Sequence, residues 1–260
     1  MSPASGSPGL SADGSILDHL RELRGRVIKC LLIVAIGFVV AFNFSEQILN
    51  FLIQPLADVL PDGQTLIFTG LPDAFLVNLK TGIWGGIFLT APLWLYQVWA
   101  FVAPGLYRSE KKKIMSLVSA ATILLFLGAA FGYWLVFPLA FKFFVSFSSG
   151  MLTAMPALGP YFSLVMALLL AFGLVFQLPL VILFLADLGL VNSIILTKGR
   201  KYAILIIFIL AAILTPPDVI SQCLMAAPML ILYEISLKLV KRNEKRRVAG
   251  EVAEEVIKKV

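Results

Sequence analysis

Apolar residues fill most of this chain in long runs that are interrupted at only a few places. A helix needs about 20 mostly apolar residues to cross a hydrocarbon core about 30 Å thick. Four runs reach that length, so we predict four full-length membrane-spanning helices. They cover residues 24–44, 74–102, 114–138 and 161–187.

A further apolar stretch is interrupted by Thr-Pro-Pro-Asp at 215–218. Consecutive prolines remove amide donors and disfavour helix in the residue before them, so a helix must break there, with Asp218 as the N-cap of the next one. The part before the break, 202–214, reaches only about 20 Å as a helix. The part after it, 219–237, is near the lower limit for a span. The two form either a re-entrant hairpin or, as we favour, two short crossings of a locally thinned membrane.

Composition and charge agree with this pattern. Sixty per cent of the residues are apolar and 14% are charged, and the mean hydropathy is +0.95, which leaves too little polar surface for a water-soluble globule. Lysine and arginine are concentrated in four segments: four residues at 21–29, four at 108–113, three at 198–201 and eight in the C-terminal tail. Only Lys80 and Lys142 lie elsewhere. Because basic segments stay on the cytoplasmic side, both termini are predicted to be cytoplasmic.

These elements predict an all-α integral membrane protein with six transmembrane helices, N-in and C-in, in which helices five and six are short. Pro92, Pro179 and Pro228 predict kinks, which are either tolerated locally or together shape a concave face. The longer outer segments, 45–75 and 139–160, are amphipathic and are predicted to cap the outer leaflet. We expect a disordered cytoplasmic N-terminus at 1–17, a membrane domain at 18–238 and a charged cytoplasmic tail at 239–260.

Residues suited to catalysis or to metal binding are sparse. Cys30 and Cys223 lie in apolar runs, where a thiol behaves as a small hydrophobe, and His19 is the single histidine. The chain has no phosphate-binding Gly-Lys-Ser/Thr, no Gly-x-Ser-x-Gly and no His-Glu-x-x-His motif. We therefore expect a binding protein without a cofactor, and not an enzyme. The net charge of +6 fits the membrane topology better than binding to nucleic acid.

Two carboxylates lie at the predicted cytoplasmic boundary in basic surroundings. Glu22 has Arg26 four residues later and Glu110 has Lys113 three residues later, so helix-surface pairing explains each carboxylate alone. The alternative is that both grip a pair of guanidinium groups on a partner through charge-assisted bidentate bonds. Such a grip favours arginine over lysine.

Gln177 is the most polar residue deep within the fourth span. A strongly polar side chain in hydrocarbon usually faces protein, water or a partner. Its amide either hydrogen-bonds another span of the same chain or docks a foreign transmembrane helix. The residues alone leave both possibilities open.

Four motifs follow one another along the chain. They are His-Leu-Arg-Glu-Leu-Arg-Gly-Arg at 19–26, Ala-Pro-Leu-Trp-Leu-Tyr-Gln-Val-Trp-Ala-Phe-Val-Ala-Pro-Gly-Leu-Tyr at 91–107, Phe-Gly-Leu-Val-Phe-Gln-Leu-Pro at 172–179 and Leu-Thr-Pro-Pro-Asp-Val-Ile-Ser-Gln at 214–222. Together they resemble the TatC family, the multispanning receptors of the twin-arginine protein translocase. The resemblance covers about residues 17–237.

The resemblance implies a glove-like, concave protein that binds twin-arginine signal peptides of folded cargo on the cytoplasmic side. With single-span TatA- and TatB-type partners, such a protein exports folded proteins across the prokaryotic cytoplasmic (inner) membrane, driven by the proton-motive force. It also implies a homo-oligomer within a larger complex. Matched residue by residue, the contacts to the signal peptide are Glu22, Arg24, Phe101, Pro104, Tyr107 and Glu110.

The same match assigns docking of partner helices to Gln177 and Gln222, and a structural role in the outer cap to Pro55 and Asp218. Many members of the family carry glutamate at the position of Gln177, and the amide here leaves hydrogen bonding without a titratable role. A different class of function, a small-solute channel or secondary transporter, fits the hydropathy equally well. That class leads us to expect an ionisable residue near mid-membrane, where this chain has the uncharged Gln177.

Overall fold

The computed structural model describes residues 12–61, 64–102, 111–146, 155–214 and 219–259. Within these residues the regular secondary structure is entirely helical. In chain order the helices are α1 Ala12–Phe42, α2 Ser45–Ala57, α3 Asp73–Leu89, α4 Ala91–Val102, α5 Lys111–Phe131, a π-helical turn Gly132–Val136, α6 Phe137–Val145, α7 Leu158–Val175, α8 Leu178–Asp187, α9 Ser193–Leu214 and α10 Val219–Lys259.

Most of the predicted spans are present as long apolar helical segments. The described residues contain four that are long and apolar enough to cross a membrane, and α3 with α4 forms a fifth that is bent by 58°. The four are Asp18–Phe42, Ile114–Val145, Leu158–Asp187 and Gln222–Arg246. The remaining predicted span, 202–214, is the apolar part of α9. The protein is therefore an all-α membrane protein, as predicted.

Helix α9 begins earlier than the apolar pattern indicated, at Ser193. The side chain of Asn192 accepts a hydrogen bond from the backbone N–H of Ile195 at 2.8 Å, which satisfies a donor in the first helical turn. The first half of α9 carries Lys198, Arg200 and Lys201. The helix therefore begins at the cap formed by Asn192 and includes a basic segment before its apolar part.

Two of the predicted kinks are breaks in the helix. Helix α3 ends before Thr90, and the backbone N–H groups of Leu93 and Trp94 donate to the Thr90 carbonyl at 3.0 and 3.2 Å as α4 starts around Pro92. Helix α7 gives way to α8 at Gln177, just before Pro179. Each proline lacks an amide donor, so the preceding turn is rebuilt. Pro228 lies inside the continuous helix α10.

Pairs of helices approach each other closely at glycine residues. A Cβ atom on Gly86 of α3 would lie 2.5 Å from the backbone nitrogen of Phe38, and one on Gly37 of α1 would lie 2.8 Å from the Gly86 carbonyl oxygen. A Cβ atom on Gly128 of α5 would lie 2.5 Å from the carbonyl oxygen of Phe172 on α7. Small residues that let backbones meet are the usual means of packing helices in lipid.

The two segments that we predicted to cap the outer leaflet, 45–75 and 139–160, contact each other, and helix α2 is part of the first. We call the end of the molecule formed by α2 the cap end. Near it, the N–H of Ile67 donates to the Pro156 carbonyl at 3.1 Å and the N–H of Leu158 donates to the Ile67 carbonyl at 2.7 Å. An apolar cavity of about 530 Å³ lies beside α2, with walls from α1, α2, α3, α5 and α7. This hollow fits the concave shape that we predicted.

Helices α9 and α10 form an antiparallel pair. Arg200 Nη2 donates to Glu234 Oε2 at 2.7 Å, and the Tyr233 hydroxyl donates to the Leu196 carbonyl at 2.7 Å. Their connection at 215–218 lies outside the described residues. Whether the pair crosses the membrane or re-enters stays a prediction, in favour of crossing.

The termini differ in part from the expected pattern. Helix α1 begins at Ala12, inside the segment 1–17 that we expected to be disordered. Helix α10 continues past Leu237 to Lys259, so no helix end separates the membrane domain from the tail. A charged helix continues the span there because its residues are good helix formers. The limits of the three parts stay predictions.

Candidate functional site

Glu22 lies on α1, one turn before the apolar part of that helix. Its Oε1 atom accepts two hydrogen bonds from Arg26, at 3.0 Å from Nε and 2.6 Å from Nη2. The pair is separated by four residues, the spacing at which helical side chains meet. The helix-surface pairing that we set out as one interpretation of Glu22 is therefore present.

This pairing leaves part of the Glu22 carboxylate available. Both bonds end on Oε1, and no partner reaches Oε2 from the described part of the chain. The Glu22 side chain is 41% exposed, whereas that of Arg26 is 23% exposed. An ionised carboxylate has about four acceptor sites on two oxygens. Glu22 can therefore accept further donors from outside while it holds Arg26.

Phe101, near the end of α4, is brought next to the same face of α1. Its ring stacks on that of His19, with centroids 4.4 Å apart and planes 17° apart. His19 lies three residues before Glu22, so both side chains are on one face of α1. We call the group His19, Glu22, Arg26 and Phe101 the α1–α4 cluster. His19 was not among the predicted site residues, although its three-residue spacing from Glu22 was a usable signal.

Of the other residues predicted to contact the signal peptide, one lies on a different face of α1 and three lie outside the described residues. Arg24 is exposed on α1, and two residues of helix turn it about 200° away from Glu22. Arg24 therefore does not share a face with the α1–α4 cluster. Pro104, Tyr107 and Glu110 lie outside the described residues, and so does the pairing of Glu110 with Lys113.

An apolar groove of about 570 Å³ adjoins the α1–α4 cluster. Arg26 and Phe101 belong to its lining, so the groove starts beside the carboxylate of Glu22. Its other lining residues are apolar apart from Gln97. They are Leu23, Val27, Cys30, Leu31, Val34, Ile87, Trp94 and Val98.

Both glutamines predicted to dock partner helices bond within the chain. Gln177 Nε2 donates to the Ala121 carbonyl of α5 at 2.9 Å, and Gln222 Nε2 donates to the Phe208 carbonyl of α9 at 3.0 Å. The sequence left open whether Gln177 bonds another span of its own chain or a foreign helix, and the bond within the chain is present. Its Oε1 atom is buried without a hydrogen-bond partner among the described residues. One acceptor of this amide is therefore unused.

Of the two residues assigned to the outer cap, Pro55 is described and Asp218 is not. Pro55 is buried inside helix α2, at the cap end. Its helix contacts the rest of the protein through the buried residues Leu49, Leu52 and Leu56. The location agrees with a cap, while the role of Pro55 stays a prediction.

Comparison with known proteins gives one consistent match. Residues 18–228 match the sequence model of TatC, described as Sec-independent protein translocase protein. The TatC protein of Desulforapulum autotrophicum is 47% identical over 220 residues, which are 85% of this chain and 82% of that protein. The TatC protein of Carboxydothermus hydrogenoformans is 41% identical over 238 residues, covering 91% and 97% of the two chains.

Solved structures agree with the sequence relatives. A crystal structure of the twin-arginine translocase receptor TatC superposes with a TM-score of 0.78 at 36% identity. The match covers 85% of this chain and 99% of that one. Glu22, Phe101 and Gln177 all lie within the matched residues. The chain belongs to the TatC family of Sec-independent protein translocase proteins.

Proposed function

We propose that this chain is the receptor of a twin-arginine translocation system, which binds twin-arginine signal peptides of folded cargo at the α1–α4 cluster. The observation that carries the site is the exposed Glu22 carboxylate, whose Oε2 atom has no partner among the described residues. Two related solved structures are described as the twin-arginine translocase receptor. A small-solute transporter has no support from these relatives.

The chemistry of the proposed grip follows from the guanidinium group. An arginine presents a planar fork of donors that matches a carboxylate, whereas lysine presents a single compact charge. Arg26 already uses Oε1 in an exposed helix pair, and pairs of that kind contribute little to stability. An incoming arginine can therefore share Glu22 or displace Arg26 at small cost. Glu110 is proposed to receive the second arginine of the pair.

The rest of the recognition surface is proposed from the family resemblance and the groove. Phe101 packs on His19 beside Glu22, so it can offer an apolar face to a bound peptide. Arg24, Pro104 and Tyr107 are proposed to contribute around this centre. Because Arg24 lies on another face of α1, its contribution is to a different part of the peptide or to the lipid headgroups.

Partners and orientation are proposed together. We place the N-terminus, the segment 103–110 and the C-terminal tail on the cytoplasmic side of the prokaryotic inner membrane, with the cap end outside, because of the lysine and arginine distribution. Export with TatA- and TatB-type single-span proteins, driven by the proton-motive force, and assembly of several copies belong to the same proposal. Partner helices are proposed to dock near Gln177 and Gln222, where the buried Oε1 of Gln177 offers an unused acceptor.

Site-specific photocrosslinking during export tests these assignments. A photoreactive residue at position 22 or 110 is expected to crosslink to the signal peptide, and one at position 177 to a single-span partner. Glu46, an exposed acid at the start of α2, is the matched control position at the cap end. Signal-peptide crosslinks from position 46 and none from 22 or 110 would refute the proposed site.

A further inference from the structure

Helix α2 contains an acceptor that its own backbone cannot satisfy. In an α-helix each carbonyl accepts from the N–H four residues later. Four residues after Phe51 stands Pro55, which has no N–H and whose ring crowds the carbonyl of that earlier residue. The Phe51 carbonyl therefore lacks its helical donor. Where protein shields such a carbonyl, another donor is favoured, because an unpaired buried polar group is costly.

A tyrosine from another helix supplies that donor. The hydroxyl of Tyr133 donates to the Phe51 carbonyl oxygen at 2.7 Å. Its ring stacks on the Phe51 ring, with centroids 4.3 Å apart and planes 8° apart. Tyr133 is 7% exposed, so both its ring and its hydroxyl are held by protein. The contact joins residues 82 positions apart in the chain.

A second tyrosine makes a similar bond to a different kind of acceptor. The hydroxyl of Tyr161 on α7 donates to the Leu52 carbonyl at 2.7 Å. Four residues after Leu52 stands Leu56, which has an N–H, so this carbonyl has a helical donor available without the tyrosine. The two bonds are adjacent along α2 and alike in length. They differ in one respect. Within α2, the Leu52 carbonyl has an N–H four residues later that can act as its donor, whereas the Phe51 carbonyl has not.

Tyr133 lies at an irregularity in its own helix. Tyr133 lies in the π-helical turn Gly132–Val136, which directly precedes the turn that contains Pro138. The N–H of Phe137 donates to the carbonyl of Gly132, five residues earlier, so one extra residue is fitted into the turn. An extra residue rotates the side chains that follow by about 100° relative to those before it. Tyr133 and Phe137, at the start of this turn and directly after it, are both buried.

We propose that Tyr133 is a positioning residue that holds helix α2 in place by donating its hydroxyl to the carbonyl that Pro55 leaves free. This fixes α2 against the π-helical turn at the cap end. Phe51, Leu52 and Tyr133 all line the apolar cavity of about 530 Å³, so the bond also sets one wall of that cavity. The inference concerns the cap end and does not depend on the proposed signal-peptide site.

A double-mutant cycle on the full chain in lipid nanodiscs tests the inference. The readout is amide hydrogen exchange of the α2 segment, with thermal unfolding as a check that each variant folds. Tyr133→Phe removes one hydroxyl and is expected to speed exchange in α2 about five-fold, as for one lost hydrogen bond. Pro55→Ala restores the missing N–H. In that background Tyr133→Phe is expected to change exchange by less than about two-fold, because the helix now satisfies Phe51.

Tyr161→Phe is the matched control for the cycle. Its acceptor, the Leu52 carbonyl, has the same helical donor with or without Pro55, so its effect is expected to be equal in both backgrounds. A general packing role for Tyr133 would likewise give the same effect in the wild-type and the Pro55→Ala backgrounds. Equal effects of Tyr133→Phe in the two backgrounds, or no effect in the first, would overturn the proposal.

Discussion

At the scale of single residues, several polar side chains in this protein link one helix to the backbone of another. Gln177, Gln222, Tyr133 and Tyr161 each donate to a main-chain carbonyl on another helix. In hydrocarbon such carbonyls have no water as an alternative partner. Polar residues within the apolar helices are therefore structural links within the chain as well as candidate contacts to partners.

Gln177→Met tests the structural part of this account. Methionine keeps the length and apolar volume of the side chain but removes its bond to the Ala121 carbonyl. The amide oxygen of Gln177 is already unpaired, so only the bond from Nε2 is lost. The net loss of stability is therefore expected to be only about 1 kcal/mol. Thermal unfolding in detergent measures it. A loss above about 3 kcal/mol would show that Oε1 has a partner that we have not identified.

Sequence spacing predicted contacts within one helix and failed for contacts between helices. The four-residue separation of Glu22 and Arg26 was enough to anticipate their bond. The stacking of His19 on Phe101 depends on how α1 packs on α4, which no local pattern encodes. The same reason explains why Gln177 could be assigned a need for a partner but not the identity of Ala121.

At the scale of helices, apolar runs located the spans, and prolines and glycines decided their shape. The breaks at Thr90 and Gln177 occur next to prolines that the sequence marked as kinks. The π-helical turn before Pro138 and the early start of α9 were not predicted, because each depends on how a few residues share donors and acceptors. Pro228 shows that a proline alone does not settle the outcome, since α10 continues through it.

Gly86→Ala tests the close packing of α1 on α3. The added methyl group would lie 2.5 Å from the Phe38 nitrogen, and backbone atoms cannot move aside as a flexible side chain can. Overpacking of this kind typically costs about 1–3 kcal/mol. Gly199→Ala in α9 is the control, because nothing lies within 4 Å of its added atom. Thermal unfolding that shows equal stability for the two variants would contradict the predicted packing.

At the scale of the whole molecule, the two ends of the helix bundle have different chemistry. One end carries the α1–α4 cluster and an adjoining apolar groove, and the other carries α2 beside an apolar cavity. Membership of the TatC family connects this arrangement to protein translocation. We propose that the exposed Glu22 carboxylate at the first end receives the arginines of a signal peptide.

The affinity of the full chain in nanodiscs for a twin-arginine peptide tests this claim most directly. We compare wild type with Glu22→Gln and Arg26→Gln, using Glu46→Gln as the control for loss of a distant carboxylate. If Glu22 grips the peptide, Glu22→Gln weakens binding at least about ten-fold, because charge-assisted bonds are lost. Arg26→Gln and Glu46→Gln then keep wild-type affinity or better, since the former removes only a competitor. Wild-type affinity for Glu22→Gln, or an equal loss in Arg26→Gln, would contradict the account.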